Sequence, residues 1–210
     1  MPAVPLEYLL SALVTLLIVV DPVGLAPTFL AVTSGMSATH RRQVAVRASV
    51  IAGMILIGTA VLGDWLLTTL GISLHAFRIA GGLLLFSIAS EMVFGVRIER
   101  QSKAAEQAVE ERVRNIAAFP LAIPLMAGPG AIAATVLLAS QAEGRPLALA
   151  GLIATVILVV LACLLVFLFA ARIGHLLGIT GNVVLSRLLG VILAALAVQF
   201  VIDGIRAVLT

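Results

Sequence analysis

Apolar runs of about 20 residues, each long enough to cross a lipid bilayer as a helix, fill nearly all of this 210-residue chain. They fall at 6–33, 46–70, 74–96, 116–139, 147–170 and 184–208. Inside a bilayer no water is available to pair exposed peptide groups, so helices, whose backbone bonds are internal, are expected despite 18 glycines. Only 11% of the residues are charged, where a soluble domain carries about a quarter. Almost all the mass must therefore lie in the membrane, with lipids as principal partners. No part of the chain is left for a soluble catalytic domain. The first run carries Glu7, no early Lys or Arg, and helix breakers at its end, so it is expected to be a retained span and not a signal peptide.

The formal charge of +3 does not point to nucleic acid, because Lys and Arg never gather into a stripe with interleaved aromatics. Their placement reads as topology. With the N-terminus outside, the inward segments hold Arg41, Arg42, Arg47, Arg97, Arg100, Lys103, Arg112, Arg114, Arg172 and Arg187; the outward segments hold Arg78, Arg145 and Arg206. The positive-inside rule thus places both termini outside. The charged stretch 97–115 becomes a cytoplasmic linker between two halves, 1–96 and 116–210, expected as a plain solvated connector, with a helix lying on the membrane surface as the alternative.

The halves repeat weakly. Leu70-Gly71-Ile72-Ser73 matches Leu177-Gly178-Ile179-Thr180, and at an offset of 109 Arg78 pairs with Arg187, Gly81 with Gly190 and Gly95 with Gly204. Each half holds three spans, an odd number, so the second copy crosses in the opposite sense. The expected architecture is a 3+3 inverted-topology repeat.

Both first spans are interrupted. Pro22 and Pro27 flank Gly24, and Pro120, Pro124 and Pro129 adjoin Gly128 and Gly130. Proline removes a donor and clashes with the preceding turn, so the first and fourth spans should each break into two half helices. Freed N–H and C=O groups cannot face lipid. They should line a polar site near the midplane, where half-helix N-termini suit a carboxylate and exposed carbonyls suit a cation. The substrate-binding candidates are Asp21, Pro22, Gly24, Pro27, Thr28, Pro124, Gly128, Pro129, Gly130 and Thr135. Asp21 could hold an ammonium group, Na+ or a proton, or could cap the helix after Pro22. Glu91 is the second candidate for Na+ or H+ coupling, and Arg78 and Arg187 are candidate gate residues. Cys163 reads as a small buried residue. His40, His75 and His175 are too scattered to argue a metal site, and no HExxH or phosphate-binding GKS/GKT signature occurs. No nucleophile and base combination stands out, so no enzymatic activity or cofactor is expected.

The segments IVVDPVGLAPTFL and FPLAIPLMAGPGAIAATVLL resemble the MarC family of bacterial and archaeal inner-membrane proteins, over essentially the full chain. The resemblance implies a six-helix plasma-membrane protein related to the broad LysE-like exporter group. Some members of that family are reported to move small neutral amino acids. It points to Asp21, Pro22, Gly24 and Pro27, and to Pro124, Gly128, Pro129 and Gly130. Leu25 stands where family members often carry Asn, which removes a hydrogen-bonding side chain at the first break. The leading expectation is a secondary transporter of a small polar solute, with a neutral amino acid as one candidate, working by alternating access. The alternative is a non-transporting scaffold or sensor acting through its linker. The sequence leaves room for a homo-oligomer.

Overall fold

The computed structural model describes residues 6–110, 116–142 and 144–209. Among these the secondary structure is entirely helical. In order come α1 (Leu6–Val20), α2 (Leu25–Val32), α3 (Ala38–Thr69), α4 (Leu74–Phe94), α5 (Val96–Glu110), an irregular wide-turned segment (Ala117–Met126), α6 (Pro129–Gln141), α7 (Pro146–Leu168) and α8 (Ala170–Leu209). Four helical stretches are long and apolar enough to cross a membrane: α3, α4, α7 and the Thr180–Leu209 part of α8. Two further pairs qualify jointly, α1 with α2 across a 43° bend and Ala117–Met126 with α6 across a 55° bend. The chain is thus an all-α polytopic membrane protein with four to six apolar spans.

Local chemistry sets the boundaries. Ser37 caps α3 by accepting the His40 N–H, and Ser73 caps α4 by accepting the Ala76 N–H. Gly95, at φ 81°, ends α4 in the left-handed conformation that lacks a steric penalty only for glycine. α5 starts at the next residue. Gly178, at φ 61°, breaks α8 near its start.

The charged linker differs from the expected plain connector. Its described part is helix α5, which packs against α2, α4 and the wide-turned segment. Arg97, Gln101 and Ala105 are buried, and their four-residue spacing puts them on one face of the helix. Residues 111–115, which include Arg112 and Arg114, lie outside the described residues.

Packing joins elements of the chain's first half to elements of its second half more than it joins neighbours in sequence. α4 lies along α8 in the most extensive helix interface, and α3 contacts α7. The bent pair α1/α2 packs chiefly on α7 and α8, while the wide-turned segment with α6 packs on α3 and α4. Phe29 of α2 stacks on Phe167 of α7, with ring centroids 4.6 Å apart, and both rings are buried. Large side chains such as Met54, Leu62, Trp65, Phe86, Leu158 and Val191 remain on the outside. So broad an apolar surface is stable only in contact with lipid or another protein.

Small residues let α4 and α8 approach closely. A Cβ on Gly82 would lie 2.8 Å from the Ala197 carbonyl oxygen and 3.1 Å from the Val201 nitrogen, and neither backbone atom can swing aside. Gly58 in α3 has open space around it. Gly82→Ala should therefore lower the melting temperature in detergent, by an overpacking cost of about 1–3 kcal/mol. Gly58→Ala should leave it unchanged or raise it, because alanine has the higher helix propensity.

Candidate functional site

Asp21 dominates the first break. It adopts φ 53°, a conformation Asp enters more readily than most residues. Its Oδ1 accepts a hydrogen bond from the Gly24 N–H at 3.1 Å, and its carbonyl accepts from the Leu25 N–H at 3.2 Å. The carboxylate thus satisfies a free amide at the start of α2, as an N-terminal cap does. A Cβ on Gly24 would overlap Asp21 Oδ2, so a larger residue here would displace the carboxylate from its place over the turn. Pro27 stands in the first turn of α2, where no N–H bond is lost, and Thr28 is buried within that helix.

The second break is longer. Phe119 and Ile123, which precede Pro120 and Pro124, have extended backbone (φ/ψ −134°/126° and −124°/125°), the region that a following proline enforces. Both X-Pro peptides are cis. Gly128 then caps α6 and Pro129 occupies its first turn, where its missing N–H costs nothing. The first bond into α6 runs from the Ile132 N–H to the Gly128 carbonyl at 3.0 Å. The N–H groups of Gly130 and Ala131 have no carbonyl partner, as geometry demands of a helix start.

The two breaks come together through α1 and α6. Val19 near the end of α1 sits beside Gly130 near the start of α6, where a Cβ would lie 3.5 Å from Val19 Cγ1. At the other end the Tyr8 hydroxyl donates to the Leu138 carbonyl at 2.9 Å. The half helices therefore run antiparallel. The negative end of one dipole and the positive end of the other point to the same place.

A cavity of about 240 Å³ opens there. Val19, Ile88 and residues 124–125 and 128–131 form its walls, and α5 closes it with Arg97, Arg100, Gln101 and Ala104. Pro124, Gly128, Pro129 and Gly130 of the expected site are among these walls. Asp21, Pro22, Gly24, Pro27 and Thr28 are not; the first break reaches the cavity through Val19.

Arg97 connects the two ends. It is 5% exposed, and its Nη2 donates to the Val19 carbonyl at 2.7 Å, placing a cation at the C-terminus of α1. Its Nη1 is buried and has no hydrogen-bond partner. Asp21 is close enough for the two opposite charges to act on each other. No ion pair joins them within 4 Å. The remaining candidates lie elsewhere. Glu91 meets Arg100 of α5 through Oε2 to Nη2 at 2.9 Å and Oε1 to Nη1 at 3.0 Å. The Thr135 hydroxyl donates to the Ala131 carbonyl at 2.7 Å, within its own helix. Arg78 near the start of α4 is half-buried, and Arg187 on α8 is exposed; neither lines the cavity. Among the described residues no three His, Cys, Asp or Glu side chains come together to hold a metal.

Sequence reasoning counted Arg97 only as an inward basic residue of the linker and did not single out Gln101. Gly95 directly before a second helical run, with Arg97, Gln101 and Ala105 at four-residue spacing, is the signal that could have found them.

The family model for MarC family integral membrane proteins matches residues 6–209. A UPF0056 membrane protein of Archaeoglobus fulgidus is 38% identical over 208 residues, covering 95% of this chain and 93% of its own. The UPF0056 membrane protein YhcE of Escherichia coli is 35% identical, over 90% of this chain and 87% of its own. A UPF0056 membrane protein of Methanocaldococcus jannaschii is 36% identical, over 97% and 98%. No solved structure gives a significant match.

The two glycines at the second break should respond differently to a methyl group. On Gly128 it would overlap the Pro124 carbonyl oxygen, a backbone atom; on Gly130 it would meet only the tip of the Ile88 side chain. Gly128→Ala should reduce the yield of folded protein on size exclusion and lower its melting temperature, while Gly130→Ala stays near the parent in both.

Proposed function

The chain belongs to the MarC family of integral membrane proteins, and from that premise we propose that it is a secondary transporter of a small polar solute, with a neutral amino acid as the leading class. In this reading each bent pair is one span. Residues 1–96 and 116–210 are two inverted halves, and alternating access turns on the cavity where the two breaks approach each other. The observation that carries it is that cavity, with unpaired backbone donors and a buried cation in its walls. Polarity of this kind inside a membrane protein is costly to keep and typically marks a solute or ion path.

The packing supports the inverted repeat. Each bent pair is held by the second and third spans of the other half. In the α4–α8 interface the contacts are reciprocal: Gly82 faces Ala197 and Val201, and Gly190 faces Ala89 and Met92. Positions 82 and 89 stand 108 residues before 190 and 197, and position 92 stands 109 before 201, within one residue of the offset of 109 that pairs Arg78 with Arg187 and Gly81 with Gly190. With both termini outside, as the basic residues favour, α1 against α6 closes the outer side and α5 bounds the cavity on the cytoplasmic side. The scaffold or sensor reading would rest on the outer face of α5, whose exposed Glu99, Lys103 and Glu106 are ordinary for a solvated helix.

The test is uptake of labelled alanine or glycine into liposomes that contain only this protein, under imposed Na+ or proton gradients. Asp21→Asn keeps an oxygen acceptor for the Gly24 N–H and removes only the charge. It should insert and melt like the parent and lose about tenfold or more of the flux, the usual scale for losing a positioned charge. Unchanged flux would take Asp21 out of coupling. No gradient-driven flux of any small polar solute by the parent would end the transporter reading.

A further inference from the structure

The cavity wall contains a set of donors that the protein itself does not use. Arg97 is buried and has spent Nη2 on the Val19 carbonyl, while its Nη1 has no partner. The same cavity is lined by Gly130 and Ala131, whose N–H groups have no carbonyl partner at the positive end of the 13-residue helix α6. An unpaired guanidinium N–H in a buried setting costs free energy. Together with a helix N-terminus it matches the donor pattern that binds oxyanions.

The charges around it limit what can bind. Arg100 is engaged by Glu91, so its charge is largely answered. Asp21, with Oδ1 held by Gly24, opposes Arg97 from farther away. What remains favours one negative charge and disfavours two. The volume of about 240 Å³ falls below the roughly 300 Å³ at which pockets for drug-sized ligands begin, so the occupant is small or inserts only a head group.

We propose that Arg97 and the Gly130 and Ala131 N–H groups form a clamp for a singly charged oxyanion head, the carboxylate of a small solute or the phosphodiester of a lipid. The proposal rests on the reading of this cavity as the transport site, and it adds Arg97 as the residue that selects for the acid group. A carboxylate there would complete the hydrogen bonding of Nη1 and of the α6 N-terminus at once. Glycine and alanine, as zwitterions, carry the required group; their amides do not.

The full chain, purified in dodecyl maltoside without phospholipid, would be titrated calorimetrically with acetate, glycine, acetamide and methylamine. Acetate and glycine should bind at least about tenfold more tightly than acetamide and methylamine, since charge-assisted hydrogen bonds are roughly twice as strong as neutral ones. Arg97→Gln should weaken acetate and glycine about tenfold or more, and Arg97→Lys less. Lys103→Gln, on the exposed side of α5, should change nothing. Should Arg97→Gln fail to fold, the comparison of acetate with acetamide on the parent decides alone. Repeating the titration in phosphatidylglycerol nanodiscs separates the two sources: acetate binding lost there assigns the clamp to a lipid phosphate, and binding retained assigns it to a soluble carboxylate. Equal affinity for acetate and acetamide, or an Arg97→Gln protein that folds and binds acetate like the parent, overturns the clamp. Carboxylate binding without flux in liposomes ends the transporter reading and keeps the clamp. Gradient-driven flux with no preference for acids over amides does the reverse.

Discussion

Unpaired peptide groups cannot be left in lipid, where each costs several kcal/mol, and this chain has broken two of its apolar runs. The rest of the structure follows from hiding those ends. Asp21 takes the Gly24 N–H at the first break, and Arg97 takes the Val19 carbonyl just before it. At the start of α6 the Gly130 and Ala131 N–H groups have no carbonyl partner, and both residues line a cavity within the protein.

Hiding the breaks also explains why the chain is so interlaced. A bent pair of short helices presents an irregular surface that its sequence neighbours do not cover. Here α7 and α8 cover the first pair, while α3 and α4 cover the second. α4 and α8 are brought close enough to bind this arrangement together because Gly82 and Gly190 remove side chains where the two backbones meet. α5 fits against α2, α4 and the wide-turned segment, and from there supplies Arg97. One helix thus carries both a structural cap for α1 and the cationic wall of the cavity.

Much of this was legible in the sequence. The spans could be read from hydropathy because bilayer thickness fixes their length, and the breaks could be read because proline and glycine act locally, whatever surrounds them. Gly128, Pro129 and Gly130, placed by sequence at a helix start, line the cavity. The chemistry that depends on the third dimension was not legible. Asp21 shows a cap engaged with its own turn, Glu91 is matched by an arginine nine residues later, and Thr135 bonds within its helix. In a linear reading Arg97 looks like one of several loop charges. Only the left-handed turn at Gly95, which folds α5 back onto the bundle, makes it the most deeply buried cation of the site.

The central claim is that water reaches the start of α6 inside the bilayer. It can be measured by cysteine accessibility in a Cys163→Ala background, the native thiol being buried. Ala131→Cys lies on the cavity wall, whereas Ala134→Cys, one turn further along α6, is fully buried and does not line the cavity. In intact liposomes a small membrane-impermeant methanethiosulfonate should modify position 131 and spare position 134. Protection of both positions would mean that the broken end is sealed in apolar packing, and the account would be wrong.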